Sequence, residues 1–210
     1  MTTPMDDLEL FERWQQGDQD AGNQLLKRHF HSLYRFFRNK VQSDIDELIQ
    51  STFLACVRSR DRFRKNSSFR TYLFTIARNE LYGYLRRRKR GEETLDFGVT
   101  SVMDMGTSPT GRLARNQQYN LLLQALRSLP VEQQVLLELY YWEEMSVAEL
   151  SELLDIAPPA TRTRLTRGRK ALREMLEKLA SKNTLRADQI EDLDTWARSM
   201  RGKWESGEGG

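Results

Sequence analysis

The chain has 210 residues, of which 39% are hydrophobic and 30% charged, with a formal net charge of +3. That length suits one large or two small domains, and so modest an apolar share suits bundles of short helices rather than one large core. A single cysteine, Cys56, excludes an intrachain disulfide framework or a cysteine-built zinc site, no apolar run reaches the ~18 residues of a membrane span, and the acidic start MTTPMDDLEL lacks the apolar core of a signal peptide.

The expected compartment is therefore the reducing cytoplasm. No proline falls between Met5 and Ser108, and Val, Ile and Thr do not alternate with polar residues. Both features predict an all-α chain. Block one spans 5–90. Leu8, Phe11 and Trp14 mark a first helical stripe, and Asp18 to Asp20 a polar break. Leu25, Leu26, Phe30, Leu33, Tyr34, Phe37 and Val41 mark a second stripe. Asp44 with Glu47 reads as a capping box before Ile45, Leu48, Ile49, Phe53, Cys56 and Val57. Cys56, in the run FLACV, reads as a buried core thiol. A helix starting near Ser68 carries Phe69, Tyr72, Leu73, Ile76, Ala77, Leu81, Tyr84 and Leu85, and ends in Arg86-Arg87-Arg88-Lys89-Arg90.

Residues 91–112, with several Gly, Ser and Thr and no hydrophobic period, read as a flexible linker. Block two spans 113–179. Leu121, Leu122, Ala125, Leu126 and Leu129 form one helix, and Pro130 opens the next, with Val131, Val135, Leu136, Leu139 and Tyr140. Ser146 and Glu149 form a capping box for a short helix holding Val147, Leu150, Leu153 and Leu154. The turn Asp155-Ile156-Ala157 and the pair Pro158-Pro159 then lead into a basic helix. In the extension 180–210, Ile190, Leu193, Ala197, Met200 and Trp204 recur at a 3,4,3,4 spacing, predicting an amphipathic C-terminal helix that docks on one of the blocks.

Charge is sharply segregated. Glu138 to Asp155 holds six acids and no base, whereas Ala157 to Arg173 holds six bases and no acid. A capped helix, a three-residue turn and a basic helix make a helix-turn-helix that could enter a major groove. Thr161, Leu165, Gly168 and Leu172 share its packing face. Arg162, Thr163, Arg164, Thr166, Arg167 and Lys170 are the candidate DNA contacts, since Arg pairs with guanine edges, Thr touches thymine methyls and further cations hold phosphate. The alternative for such a helix is a solvated basic face.

Arg58 to Arg90 holds twelve bases against two acids, interleaved with Phe63, Phe69, Tyr72, Phe74, Tyr82 and Tyr84. Aromatics beside a cationic groove suit single-stranded DNA, and the Asn79 amide can read a base edge. DIDELIQSTF, residues 44–53, is acidic and apolar; it suits a basic protein partner, or is simply a solvated helix start. Catalytic constellations are absent: His29 and His31 point to different helix faces, and no phosphate loop, nucleophile elbow or HExxH occurs. No metal, cofactor or small-molecule substrate is expected, and the chain is not expected to be an enzyme.

Three segments, in order, resemble group IV, extracytoplasmic-function (ECF) sigma factors of bacterial RNA polymerase. DIDELIQSTF resembles region 2.2, FRTYLFTIARNELYGYLRRRKR regions 2.3–2.4, and LPVEQQVLLELYYWEEMSVAELSELLDIAPPATRTRLTRGRKAL regions 4.1–4.2. The resemblance implies a region 2 bundle over 5–90 and a region 4 helix-turn-helix over 113–179. It implies core polymerase binding by Asp46, Glu47, Leu48, Gln50, Thr52 and Phe53. Recognition of the −10 element falls to Tyr72, Arg78, Asn79, Arg86, Arg87 and Arg88, and of the −35 element to the basic helix. Core RNA polymerase, promoter DNA and an anti-sigma factor are the implied partners. The chain departs from the family pattern at Tyr72 (usually Trp), Gly83 (often Asp), Gln134 (usually Arg), Glu144, Asp155 and Pro159 (usually or commonly Gly), and Thr161 (usually apolar). Two rival classes stand beside this reading. One is an operator-binding regulator with block one as dimerisation domain, which leaves DIDELIQSTF without a purpose. The other is a nuclease, for which the basic helix offers only Glu80 as a metal carboxylate.

Overall fold

A computed structural model describes residues 5–63, 67–88, 95–105, 117–182 and 193–199. Among these, block one consists of α1 (Asp7–Gln15), α2 (Gln19–Arg38), α3 (Ile45–Ser59) and α4 (Phe69–Arg88), with a 3-10 turn at Arg60–Arg62. Asp6 and Asp18 cap α1 and α2 through the backbone N–H groups of Glu9 (2.8 Å) and Ala21 (3.0 Å). Between them Gly17 takes φ +102°, a conformation that favours glycine. Leu10, Phe11 and Trp14 face inward, while Leu8, expected on that stripe, is exposed. A Cβ on Gly22 would lie 2.5 Å from the Trp14 ring, so glycine is what lets α1 and α2 approach.

Asp44 does not cap α3. Its backbone is left-handed (φ 65°), which turns the carboxylate away from the helix N–H groups, and it accepts instead from Tyr84 Oη at 3.0 Å. Along α3, Leu48, Ile49, Thr52 and Cys56 form the buried side. Cys56 is fully buried, and burial pushes its thiol up to about 12. Ser68 Oγ accepts from Thr71 N–H (3.1 Å) at the start of α4. His29 sits at the core edge, 2.5 Å from Asp7 Oδ2.

Block two consists of α5 (Gln117–Arg127), α6 (Val131–Tyr141), α7 (Val147–Leu154) and α8 (Pro158–Lys182). The Ser146–Glu149 capping box forms as expected. Asp155 closes α7 in the left-handed conformation (φ 55°), and Glu144 is left-handed too (φ 50°). These are two of the positions where glycine is usual. Thr161, usually apolar, is buried, and its hydroxyl meets Ser151 Oγ at 2.8 Å, which satisfies both.

Residues 95–105 differ from a bare tether. Phe97 and Val102 are buried, Ser101 pairs with Pro130 as an isolated bridge, and the N–H groups of Val131 and Glu132 donate to Thr100 and Phe97 carbonyls. Short apolar residues without a period pack here because a strap follows its neighbours' surface rather than a helical repeat. Of the extension, α9 (Leu193–Ser199) lies on block two, with Leu193 and Ala197 buried and Trp142 Nε1 donating to the Ala197 carbonyl at 3.0 Å. Ile190, Met200 and Trp204 lie outside the described residues.

The two blocks pack on each other within one continuous hydrophobic cluster, and buried charged pairs line part of the seam. Lys40, after α2, donates to Glu138 on α6 and to the Phe36 carbonyl (2.7 Å); both charged groups are buried. Burial drives the Lys40 ammonium down and the Glu138 carboxyl up, each opposed by the other's charge. Gln134 Nε2 completes the Glu138 carboxylate at 2.8 Å, and Arg127 Nε donates to the Asn39 carbonyl at 3.1 Å. Arg35 lies 3.7 Å from Glu143, and Arg70 3.3 Å from Glu149.

Candidate nucleic-acid interface

The basic helix α8 divides by phase. Thr161, Leu165, Gly168 and Leu172 are buried against the rest of block two, as their spacing predicts. Arg162, Thr163, Arg164, Thr166, Arg167 and Lys170 are all exposed. The hydroxyls of Thr163 and Thr166 donate back to the carbonyls of Pro159 and Arg162, each at 3.0 Å, so they offer a base their methyls and acceptor lone pairs. Arg164 lies 3.5 Å from Glu132, a weak exposed pair that a phosphate could displace. Arg169 is turned elsewhere: it lies 3.4 Å from Asp194 and over the Tyr140 ring, anchoring α9.

The predicted residues of α4 separate. Asn79, Arg86, Arg87 and Arg88 are exposed. Arg88 donates to Tyr84 Oη (2.8 Å), and Arg86 lies over the Phe97 ring at 5.3 Å. Arg78 is half-buried, its guanidinium donating to the Leu153 carbonyl at 2.5 Å. Tyr72 belongs to an aromatic cluster with Phe11, Phe63 and Phe69, and its hydroxyl meets Ser59 Oγ at 2.5 Å. Burial raises the phenol, against the pull of Ser59. Phe63, Phe69 and Phe74 are core. Tyr82, which sequence reasoning named only as one of several interleaved aromatics, stacks on Phe97 with centroids 4.2 Å apart and planes 23° from parallel.

On α3, Asp46, Gln50 and Phe53 join Phe30, Ile49, Leu54 and Val57 around one groove. Phe30, Leu54 and Val57 are 38%, 47% and 42% exposed, which is unusual for residues of their size. Glu47 is exposed beside them. Leu48 and Thr52 are not on this surface: both are buried, and Thr52 Oγ1 donates to the Leu48 carbonyl at 2.7 Å. Sequence reasoning placed Phe30 and Val57 on packing stripes and left Leu54 unassigned, so it missed all three as surface residues, while of its two apolar anchors only Phe53 lines the groove.

Two family models match the chain in order, Sigma-70 region 2 over residues 23–91 and Sigma-70 region 4 over 119–172. The first covers α2 to α4, with the groove and the arginine-rich helix end. The second covers α5 to α8 as far as Leu172, with the helix-turn-helix. The chain belongs to the sigma-70 family, in its ECF group. It is 28% identical over 190 residues to the ECF RNA polymerase sigma-E factor of Haemophilus influenzae, covering 85% of this chain and 100% of that one. It is 26% identical to the sigma-E factor of Escherichia coli over 188 residues, 85% of this chain and 98% of that one. In fold it is similar to CnrH, solved in complex with the cytosolic domain of CnrY, with a TM-score of 0.59 and 22% identity over 82% of this chain and 97% of that one. It is also similar to RpoE of Bartonella quintana, solved with the anti-sigma factor NepR, with a TM-score of 0.55 and 22% identity over 74% and 96%.

The chain is thus an all-α sigma factor and a transcription initiation factor. Within it, the exposed cations of α8 are the major-groove candidates, the exposed face of α4 the single-strand candidate, and the α2–α3 groove the protein-binding candidate. None of the described helices is long and apolar enough to cross a membrane.

Proposed function

We propose that this sigma factor directs core RNA polymerase to −35/−10 promoters with its three surfaces acting together. Polymerase docks on the groove of Phe30, Ile49, Phe53, Leu54 and Val57, with Asp46, Glu47 and Gln50 as a polar, partly acidic rim for a basic partner. Leu48 and Thr52 support that surface from beneath. Arg162, Thr163, Arg164, Thr166, Arg167 and Lys170 read the −35 duplex. Asn79, Arg78, Arg86, Arg87 and Arg88 hold the −10 strand, with Tyr72 bracing the start of α4 rather than stacking on a base. The sigma factor performs no covalent chemistry itself, acts in the cytoplasm beside the polymerase, and is restrained by an anti-sigma factor. The RpoE complex supports that last partner, since it holds a sigma factor of like fold with the anti-sigma factor NepR bound.

The observation that carries this reading is the coexistence, in one chain, of a free apolar groove with an acidic rim and two separate cationic helix faces. An operator-binding regulator would leave the acidic segment 44–53 beside the groove without a purpose. The test is reconstituted transcription: the purified chain and core polymerase are mixed with a pool of promoter fragments, and start sites are sequenced. Defined starts below a shared −35/−10 pair are expected. Specific duplex binding by the chain alone, without any polymerase-dependent starts, would move the assignment to an operator-binding regulator.

A further inference from the structure

We infer that α9 gives this sigma factor a second hold on the −35 duplex: docked on the flank of the reading helix α8, it presents Arg198, alongside Arg173 of α8, to the DNA backbone, and duplex binding in turn keeps α9 docked. This rests on the reading of α8 as the −35 helix and adds a phosphate site outside that helix. Three observations carry it.

First, α8 has a cationic flank besides its reading face. Arg162, Arg169 and Arg173 recur at i, i+7 and i+11, so they form one stripe along the helix. At 1.5 Å per residue the stripe runs for about 16 Å. It borders the face formed by Thr163, Arg167 and Lys170, on the edge away from Arg164. A helix seated in a major groove about 12 Å wide turns its edges towards the phosphates that wall the groove.

Second, α9 sits on that flank in a fixed orientation. Arg169 lies 3.4 Å from Asp194 and 4.8 Å from the centre of the Tyr140 ring. Arg198 lies over the same ring at 6.0 Å and reaches the Tyr140 hydroxyl at 3.5 Å. One half-buried tyrosine thus meets a cation from each helix. Trp142 Nε1 donates to the Ala197 carbonyl at 3.0 Å, which fixes the peptide bond leading into Arg198. Leu193 and Ala197, one turn apart, are buried against block two. With its packing side held in this way, α9 turns Arg198 outward, and Arg198 and Arg173 are both exposed.

Third, the charges on this flank are unequal. Arg169, Arg173 and Arg198 supply three cations. Helix α9 supplies one carboxylate, Asp194, already engaged by Tyr141 and Arg169. Glu174 lies elsewhere, 3.8 Å from Lys170. Two guanidiniums drawn to one ring repel each other, and an anion beside them relieves that cost. The long contact of Arg198 with Tyr140 is weaker than a charge-assisted bond to phosphate. Such a contact is blind to sequence, so it strengthens the hold on any duplex that α8 enters and leaves base choice to the reading face. Few contacts hold α9, so docking and duplex binding favour each other by the same factor.

The test titrates the full chain into a fluorescein-labelled duplex of mixed sequence, about 20 base pairs long, and reads anisotropy from about 50 to 200 mM salt. Each phosphate contact adds about 0.9 to the slope of log affinity against log salt. Arg198→Gln should lower that slope by about 0.9 and weaken binding about eightfold near 0.1 M salt. Arg198→Lys, which keeps the charge, should restore most of the slope. Ala197→Gln, which keeps Arg198 but crowds the buried side of α9, should lose as much slope as Arg198→Gln. Lys27→Gln, which removes an exposed cation on α2, should change nothing. Point variants are needed because truncation after Lys182 also removes Arg201 and Lys203. Amide exchange at 193–199 separates a contact from a prop. In the wild type it should slow several-fold when duplex is added. In Arg198→Gln the free chain should exchange like the wild type, and the slowing should be lost. An unchanged slope in Arg198→Gln, an equal loss in Lys27→Gln, or exchange that ignores the duplex overturns the inference. So does faster exchange in free Arg198→Gln, which makes the residue a prop for α9, and so does the absence of duplex binding at 50 mM salt. Failure of the sigma reading is separate: it shows as no polymerase-dependent starts, and the mixed-sequence duplex needs no promoter.

Discussion

Leu54 gives the sharpest check on the polymerase surface, because its exposure makes it nearly irrelevant to folding. Its side chain lies in the groove beside Phe53 and Val57 and is 47% exposed. Fully burying a leucine is worth about 1.5–3 kcal/mol, so covering the exposed half is worth about 1 kcal/mol. Leu54→Ala should therefore weaken core polymerase binding about fivefold, since ~1.4 kcal/mol is tenfold. Leu54→Asp should do far more, because a carboxylate pressed into an apolar interface loses its water and gains no partner, and a hundredfold loss, about 3 kcal/mol, is expected. Folding should lose no more than about 1 kcal/mol in either variant, since only about half of the side chain is already covered. Affinity is read by titrating labelled sigma factor with core polymerase, and stability by urea unfolding. Leu54→Asp binding polymerase like the wild type, with its fold intact, would refute the assignment of this groove.

Other outcomes follow from the backbone and the packing. Glu144→Gly and Asp155→Gly should each raise stability by about 0.5–1 kcal/mol, because both residues are left-handed and the strain of that conformation exceeds the entropy glycine adds to the unfolded chain; alanine at either site should not. Gly22→Ala should cost about 1–3 kcal/mol in urea unfolding, since the new methyl would sit 2.5 Å from the buried Trp14 ring. Burial opposes ionisation of Asp7, but His29 and Arg28 outweigh it and hold its carboxyl below the ordinary 3.8. Its contribution is thus present above that value and is lost as pH falls through the lower, folded value. Stability of Asp7→Asn, followed from neutral pH to about pH 2, should converge on the wild type only at the acid end.

Much of the fold was legible because local signals and burial agree. The Ser146–Glu149 box, the prolines before α6 and at the start of α8, and the packed phase of Thr161, Leu165, Gly168 and Leu172 each need only neighbours in sequence. The failures are long-range. Asp44 has every local mark of an N-cap, but Tyr84, forty residues on, offers its carboxylate a partner. Tyr72 reads as a stacking platform until Phe11 and Phe63 arrive from other elements. On α3 the phase itself held an unused signal. Leu48, Thr52 and Cys56 follow one another at i, i+4 and line the inside, while Asp46, Gln50, Phe53 and Val57 follow at near-helical steps on the opposite side. The acidic run from Glu138 to Asp155 was visible as a run, but its purpose was not. Charge composition shows that acids lack neighbours of opposite sign; only the fold shows that Lys40, Arg35 and Arg70 supply them.

Helix α9 is held to block two by a small set of contacts. Its docking rests on burial of Leu193 and Ala197, on Trp142 Nε1 donating to the Ala197 carbonyl, on Tyr141 donating to Asp194, and on Arg169 beside Asp194. α9 is only seven residues long and is joined to the rest of block two by few buried side chains, so it is an element that opens at low cost. Truncation after Lys182 should therefore lower the stability of the chain by less than about 2 kcal/mol. In the full chain, amides of 193–199 should exchange far faster than those of α6, although Trp142 should be protected from quenchers while α9 is docked. Loss of more than about 4 kcal/mol on truncation would show that α9 is an integral part of the block-two core, with ordering already met by contacts deeper than these.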